Sequence, residues 1–172
     1  MAQATSRLTA RVFPQHEPFR VELLIDGRSV AARSRAVFQR TNPITGEVVT
    51  IAAAAGADDV DDAGCAAAAA FSNWSVTPAE TRAAILLLAK TRLQERADEI
   101  AHIMSLETGG TLDWCHFNVD LAARILEQAA LLAGEVSRPG LPAEMKETGS
   151  FVVRQPAGVC LAIAPWNAPI VL

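Results

Sequence analysis

The chain has 172 residues, 51% hydrophobic and 20% charged, with a formal net charge of −4 at pH 7. That length fits one domain, with or without an appendage, and the composition supports a sizeable core and argues against disorder. The acidic balance argues against nucleic acid or an anionic membrane as a partner, and no apolar run reaches the roughly 18 residues of a membrane span.

Residues 1–20 read as a disordered tail: they carry arginines but lack the apolar stretch of a secretory signal, and a transit peptide is the lesser alternative. Val21–Gly27 reads as a strand closed by the Asp26-Gly27 turn, with a return strand behind it. A second turn at Asn42–Glu47 feeds the apolar strand Val48–Ala53. Asp58, Asp59, Asp61 and Asp62 then open an Ala-rich helix, acids at the end where the helix dipole favours them, and that helix ends near Trp74. Thr77-Pro78-Ala79-Glu80 predicts a capping box. Behind it Ile85, Leu88, Ala89, Leu93, Ile100, Ile103 and Met104 fall at helical spacing, with Arg82, Lys90, Arg92, Arg96 and Glu99 on the outer face. A break near Glu95–Asp98 divides this stretch, and Gly109-Gly110 stops it. The next helix, Leu112–Glu135, is apolar around most of its circumference, which predicts burial on more than one side. Ser150–Gln155 reads as a further strand.

Cys65, Cys115 and Cys160 are too few and too scattered for a disulfide framework, and with His16, His102 and His116 they form no metal-ligand spacing. No metal is expected. A reducing, cytoplasmic compartment is the natural reading. Val159–Ala164 is apolar without alternation, as in a strand covered on both faces of a parallel sheet. Pro165 ends it, because proline cannot donate to the ladder, and Pro169 suits the first turn of a helix. Ligands of open α/β sheets bind just beyond such strand ends, where Trp166 and Asn167 stand. The plainer alternative makes Trp166 a core filler and Asn167 a helix cap.

Taken in order from about Leu24 to Leu172, these segments resemble the N-terminal part of an NAD(P)-dependent aldehyde dehydrogenase, closest to the branch acting on aromatic aldehydes. "NPITGEVV", "DDVDDAGCAAAAAFSNW", the run around "LETGG" and "QPAGVCLAIAPWNAPIVL" carry the resemblance; Gly110 departs from it, standing where many relatives have lysine. The implied fold is α/β: helices and strands of an incomplete Rossmann-like cofactor domain over residues 21–136, an oligomerisation arm over 137–156, and the first buried strand and corner of the nucleotide core over 157–172. The implied reaction is oxidation of an aldehyde, through attack by a cysteine thiolate and hydrolysis of the resulting thioester, with NAD or NADP accepting hydride. By resemblance Asn167 donates to the oxyanion, and Ile163, Ala164, Pro165 and Trp166 border the cofactor. Ala168 leaves room for an aromatic ring, and Phe117, Leu121 and Arg124 line the substrate, although Arg124 has Asp120 four residues earlier as a surface partner. The three cysteines read as structural: Cys65 in the core of the Ala-rich helix, Cys115 on the long helix, Cys160 in the buried strand. No Gly-x-Gly-x-x-Gly occurs. The nucleophile and general base are expected beyond Leu172, leaving this piece inactive and poorly soluble alone, and a homodimer or homotetramer is expected of the whole enzyme. Two other readings stay open: a non-catalytic helical interaction module, and an acyl-CoA or acyl-phosphate semialdehyde reductase of the same fold.

Overall fold

Two tight turns organise the first third of the chain. The structure, a computed structural model, describes residues 17–136 and 153–172. Asp26 and Gly27 both take positive φ, 52° and 71°, the backbone twist with which a two-residue loop joins antiparallel strands. They close a hairpin of β2 (Leu23–Ile25) and β3 (Arg28–Val30), with Leu23 opposite Val30. The Val21–Gly27 stretch is not one strand: it is interrupted at Glu22, and β1 (Phe19–Val21) runs parallel to β5 (Val48–Ala53) instead. β1 also begins inside the stretch expected as a tail.

At the second turn the Asn42 side-chain oxygen accepts the N–H groups of Ile44 and Thr45 at 2.8 and 3.2 Å, and Gly46 takes φ 76°. An Asn that bonds its own following backbone mimics a turn residue, and here it folds β4 (Val37–Thr41) antiparallel onto β5. The sheet order is β1-β5-β4.

Helix α1 (Ala57–Trp74) starts after Gly56, whose N–H donates to the Asp59 carboxylate at 2.8 Å. The same carboxylate accepts the Arg33 backbone N–H at 2.9 Å, so Asp59 is buried yet satisfied. These two bonds, Gly56's first, hold the Asp59 carboxyl below the usual carboxylate range. The Arg33 guanidinium adds a bidentate pair to Asp62 at 2.7 and 2.6 Å.

The expected capping box before α2 (Ala79–Glu95) does not form. Thr77 instead donates its hydroxyl to the Asn73 carbonyl at 2.9 Å, because the last carbonyls of α1 lack helical partners and compete for it. Arg96, at φ −109° and ψ 18°, divides α2 from α3 (Ala97–Thr108), and Gly109 ends α3 in the left-handed conformation at φ 73°. Helix α4 (Leu112–Val136) packs against both α2 and α3. Its buried face is Cys115, Asn118, Val119, Ala122, Ala123 and Ala130, and Cys115 and Val119 meet Ala101 and Met104 of α3. Lys90, expected on the outer face, reaches Glu127 of α4 at 2.8 Å. The Thr50 hydroxyl donates to Glu107 and joins β5 to α3.

Two expectations of burial are corrected. Helix α4 buries one face only; Phe117, Ile125, Leu131 and Leu132 are exposed, because no described element covers that side. Val159–Ala164 is irregular chain and not a strand, with Leu161 84% and Ile163 85% exposed. A strand depends on a neighbour's N–H and C=O groups, and none of the described strands pairs with this segment. Most of the expected arm, like most of the Ser150–Gln155 strand, lies outside the described residues.

A Cβ on Gly109 would meet the left-handed backbone penalty and also lie 2.9 Å from Pro43 Cγ in the β4–β5 turn. Left-handed backbone alone costs about 1–2 kcal/mol. Gly27→Ala would meet that penalty only, since nothing lies within 4 Å of its added Cβ. Gly109→Ala should therefore destabilise the fold more than Gly27→Ala, as measured by denaturant unfolding of the two variants; equal losses would discount the Pro43 contact.

Candidate functional site

The site nominated by the sequence is the Pro165-Trp166-Asn167 corner, and its local structure follows from the two prolines. Pro165 brings no N–H, and Pro169, with φ restricted near −65°, stands in an isolated turn and not at the start of a helix. The Ala168 carbonyl accepts the N–H groups of Val171 and Leu172 at 3.1 and 3.2 Å, so residues 168–172 form a single helical turn. Trp166 is 75% exposed, Asn167 is exposed and Ala168 is half-buried. The Asn167 side-chain amide has no hydrogen-bond partner among the described residues.

Two fastenings hold this segment against the helices. Ile170 is half-buried against the cluster of Ala101, Met104, Cys115 and Val119, near the start of α4. At the other end of α4, the Arg154 guanidinium donates to the Glu135 carbonyl at 2.8 Å, a cation placed where the helix dipole is negative. The corner between them projects from the core.

Phe117, Leu121 and Arg124 are not gathered with it. At about 100° per residue they fall on the side of α4 opposite Cys115, Val119 and Ala122. Phe117 and Arg124 are exposed and Leu121 is half-buried. Arg124 forms no ion pair with Asp120 or any other described residue. The α4 residues on the corner's side are Cys115 and Val119, through Ile170. Helical spacing groups either set equally well, so only the position of Ile170 distinguishes them. An apolar groove of about 370 Å³, lined by Trp74, Arg82, Ile85, Leu86 and Ala133, involves none of the nominated residues.

The cysteines separate by burial. Cys115 is fully buried, and burial pushes its thiol pKa up. Cys65 and Cys160 are exposed, against the readings that placed one in a helix core and the other in a buried strand. Helix α1 presents much of its Ala-rich surface to solvent, and Cys160 shares the irregular course of its segment. The Cys160 thiol donates to the Gly158 carbonyl at 3.7 Å, an acceptor that does nothing to stabilise a thiolate. No group of three or more potential metal ligands occurs among the described residues.

The chain matches the aldehyde dehydrogenase family over residues 30–172, and it belongs to that family. It is 42% identical over 154 residues to a vanillin dehydrogenase of Pseudomonas sp. (strain HR199 / DSM 7063), covering 90% of this chain and 32% of that protein. The crystal structure of a salicylaldehyde dehydrogenase from Pseudomonas putida G7 complexed with salicylaldehyde superposes with a TM-score of 0.83 at 30% identity, over 89% of this chain and 32% of the other. An NAD-dependent aldehyde dehydrogenase from Sinorhizobium meliloti superposes with a TM-score of 0.66 at 31% identity, over 67% and 24%. The fold is the N-terminal part of the aldehyde dehydrogenase fold, and the chain spans about a third of the length of these relatives.

Burial sets the expected order of thiol reactivity. Under native conditions at neutral pH, Cys65 and Cys160 should react with a water-soluble disulfide reagent, and Cys115 only after denaturant is added. Three equivalents titrating at one rate without denaturant would contradict the packing of α4.

Proposed function

We propose that this chain, as a member of the aldehyde dehydrogenase family, forms the N-terminal third of an enzyme that oxidises an aromatic aldehyde to its carboxylic acid with NAD or NADP. The observation that carries the reading is the Asn167 amide: exposed, without a partner among the described residues, and mounted on a turn fastened to the helical core. When a nucleophile adds to an aldehyde carbonyl, negative charge develops on the oxygen, and a donor already in place stabilises it without reorganising. An amide suits this task because it offers two N–H groups and stays neutral at every working pH. Cys115 is too buried to serve as the nucleophile, and Cys65 and Cys160 have no activating partner among the described residues, so in this reading the attacking thiolate belongs to sequence outside this chain, as does the general base that the resemblance implies.

Ile163, Ala164, Pro165 and Trp166 fit the flank of a nicotinamide nucleotide. Ile163 and Trp166 present 85% and 75% of their surface, Ala164 is small, and Pro165 offers only a carbonyl, so the contact is apolar on one side. When bound, that group accepts the hydride removed from the substrate carbon. The chain has no glycine-rich phosphate loop, which leaves the grip on the phosphates to the remainder of the enzyme. The exposed apolar face of α4, with Phe117, Ile125 and Leu132, is where that remainder packs; Phe117, Leu121 and Arg124 belong to this face in our reading, and not to the substrate lining. Residues 137–156 supply the arm of a homodimer or homotetramer.

The similarity to vanillin and salicylaldehyde dehydrogenases supports an aromatic substrate, as does Ala168, a small, half-buried neighbour of the proposed donor. In the full-length enzyme Asn167→Ala should lower kcat by about 10²–10³-fold, the usual loss for one oxyanion donor, with little change in KM for the nucleotide. An unchanged kcat would remove Asn167 from the mechanism. Ala168→Phe should reduce kcat/KM for benzaldehyde more than for hexanal, and equal losses for the two would show that this position does not select the ring.

A further inference from the structure

We infer that Ile170 is a positioning residue for the Asn167 amide, an inference that rests on the reading of Asn167 as the oxyanion donor. Along residues 159–167 the backbone makes no ladder bonds, and Val159, Leu161, Ile163 and Trp166 are all exposed. Among the described residues no strand pairs with that run, so within this chain it does not tie the amide to the helices. Ile170 does: it packs against Ala101, Met104, Cys115 and Val119, of which Ala101, Cys115 and Val119 are fully buried.

The link from Ile170 back to Asn167 is short and stiff. Pro169 restricts φ near −65°, and the Ala168 carbonyl is held by two N–H donors, from Val171 and Leu172. A displacement of Ile170 is therefore carried through this turn to Ala168, which is bonded directly to Asn167. Displacing a catalytic group by about 1 Å can cost on the order of 10²-fold in rate.

The test is a set of variants of the full-length enzyme: Ile170→Ala, Ile170→Val, Asn167→Ala, and each Ile170 change combined with Asn167→Ala. Ile170→Ala should lower kcat by about 10-fold, with KM for the nucleotide unchanged, and Ile170→Val should recover most of the loss. In the Asn167→Ala background neither Ile170 change should lower kcat further, since the group being positioned is gone. A further 10-fold loss in that background would overturn the positioning role and leave Asn167 as the donor. If Asn167→Ala alone were harmless, the donor reading itself would fall, and the inference with it. Should Ile170→Ala not fold, the smaller deficit of Ile170→Val decides the question in the same way: its disappearance beside Asn167→Ala supports the inference, and its persistence overturns it.

Discussion

Close approach of α4 to α2 and α3 is the constraint on which the rest of this structure depends. The buried stripe of α4 is mostly small: Cys115, Ala122, Ala123 and Ala130, with Val119 as the one branched side chain. Small residues let helix axes come close, and the density of a packed interior then does the work that larger side chains do elsewhere. With no Tyr in the chain and few other aromatics, the fold obtains its core in this way. The same packing makes the seat that receives Ile170, and it removes the Cys115 thiol from chemistry.

The strands are fastened to the helices by two polar contacts and one apolar one. Asp59 joins the start of α1 to the chain after β3, Thr50 joins β5 to Glu107 of α3, and the β4–β5 turn abuts Gly109. Asp59 makes the first of these sensitive to acid. Its carboxyl titrates below the ordinary value of 3.8 because two backbone N–H groups favour the charged form. A group whose folded pKa is depressed contributes stability above its unfolded pKa and loses it as pH falls through the folded value. The junction is therefore at full strength in neutral solution and weakens only in strong acid. The surface pairs Arg92–Glu95 and Arg96–Glu99 contribute little beside it, being exposed and separated by one turn of helix.

What the sequence made legible was local. Asp26-Gly27, the Asn42–Glu47 turn, the acidic start of α1, the break at Arg96 and the stop at Gly109 are each dictated by a few adjacent residues, and the structure has all of them. Features set by distant partners were not legible. The apolar pattern from Val21 to Ile25 gives no reason to break at Glu22; the break exists because β1 pairs with β5, some thirty positions on. Thr77 reads as a cap until α1's terminal carbonyls compete for its hydroxyl. Val159–Ala164 has the composition of a buried strand, and composition cannot supply the neighbours that would make it one. The proposed site divides likewise: the prolines around Asn167 announce a corner, whereas the side of α4 it faces is decided by where Ile170 comes to rest.

The parallel pairing of β1 with β5 has a kinetic consequence. The β4–β5 hairpin closes across one short turn and can form on the microsecond scale, and the β2–β3 hairpin needs only Asp26 and Gly27. β1 can do nothing alone. Its partner is the far strand of the second hairpin, so the loop it closes encloses everything from Glu22 to Glu47. During synthesis at about 5–20 residues per second, Phe19–Val21 leaves the ribosome seconds before Val48–Ala53 exists to receive it. β1 is thus the last strand to join its sheet, and until then it is an unpaired edge in need of protection from other edges.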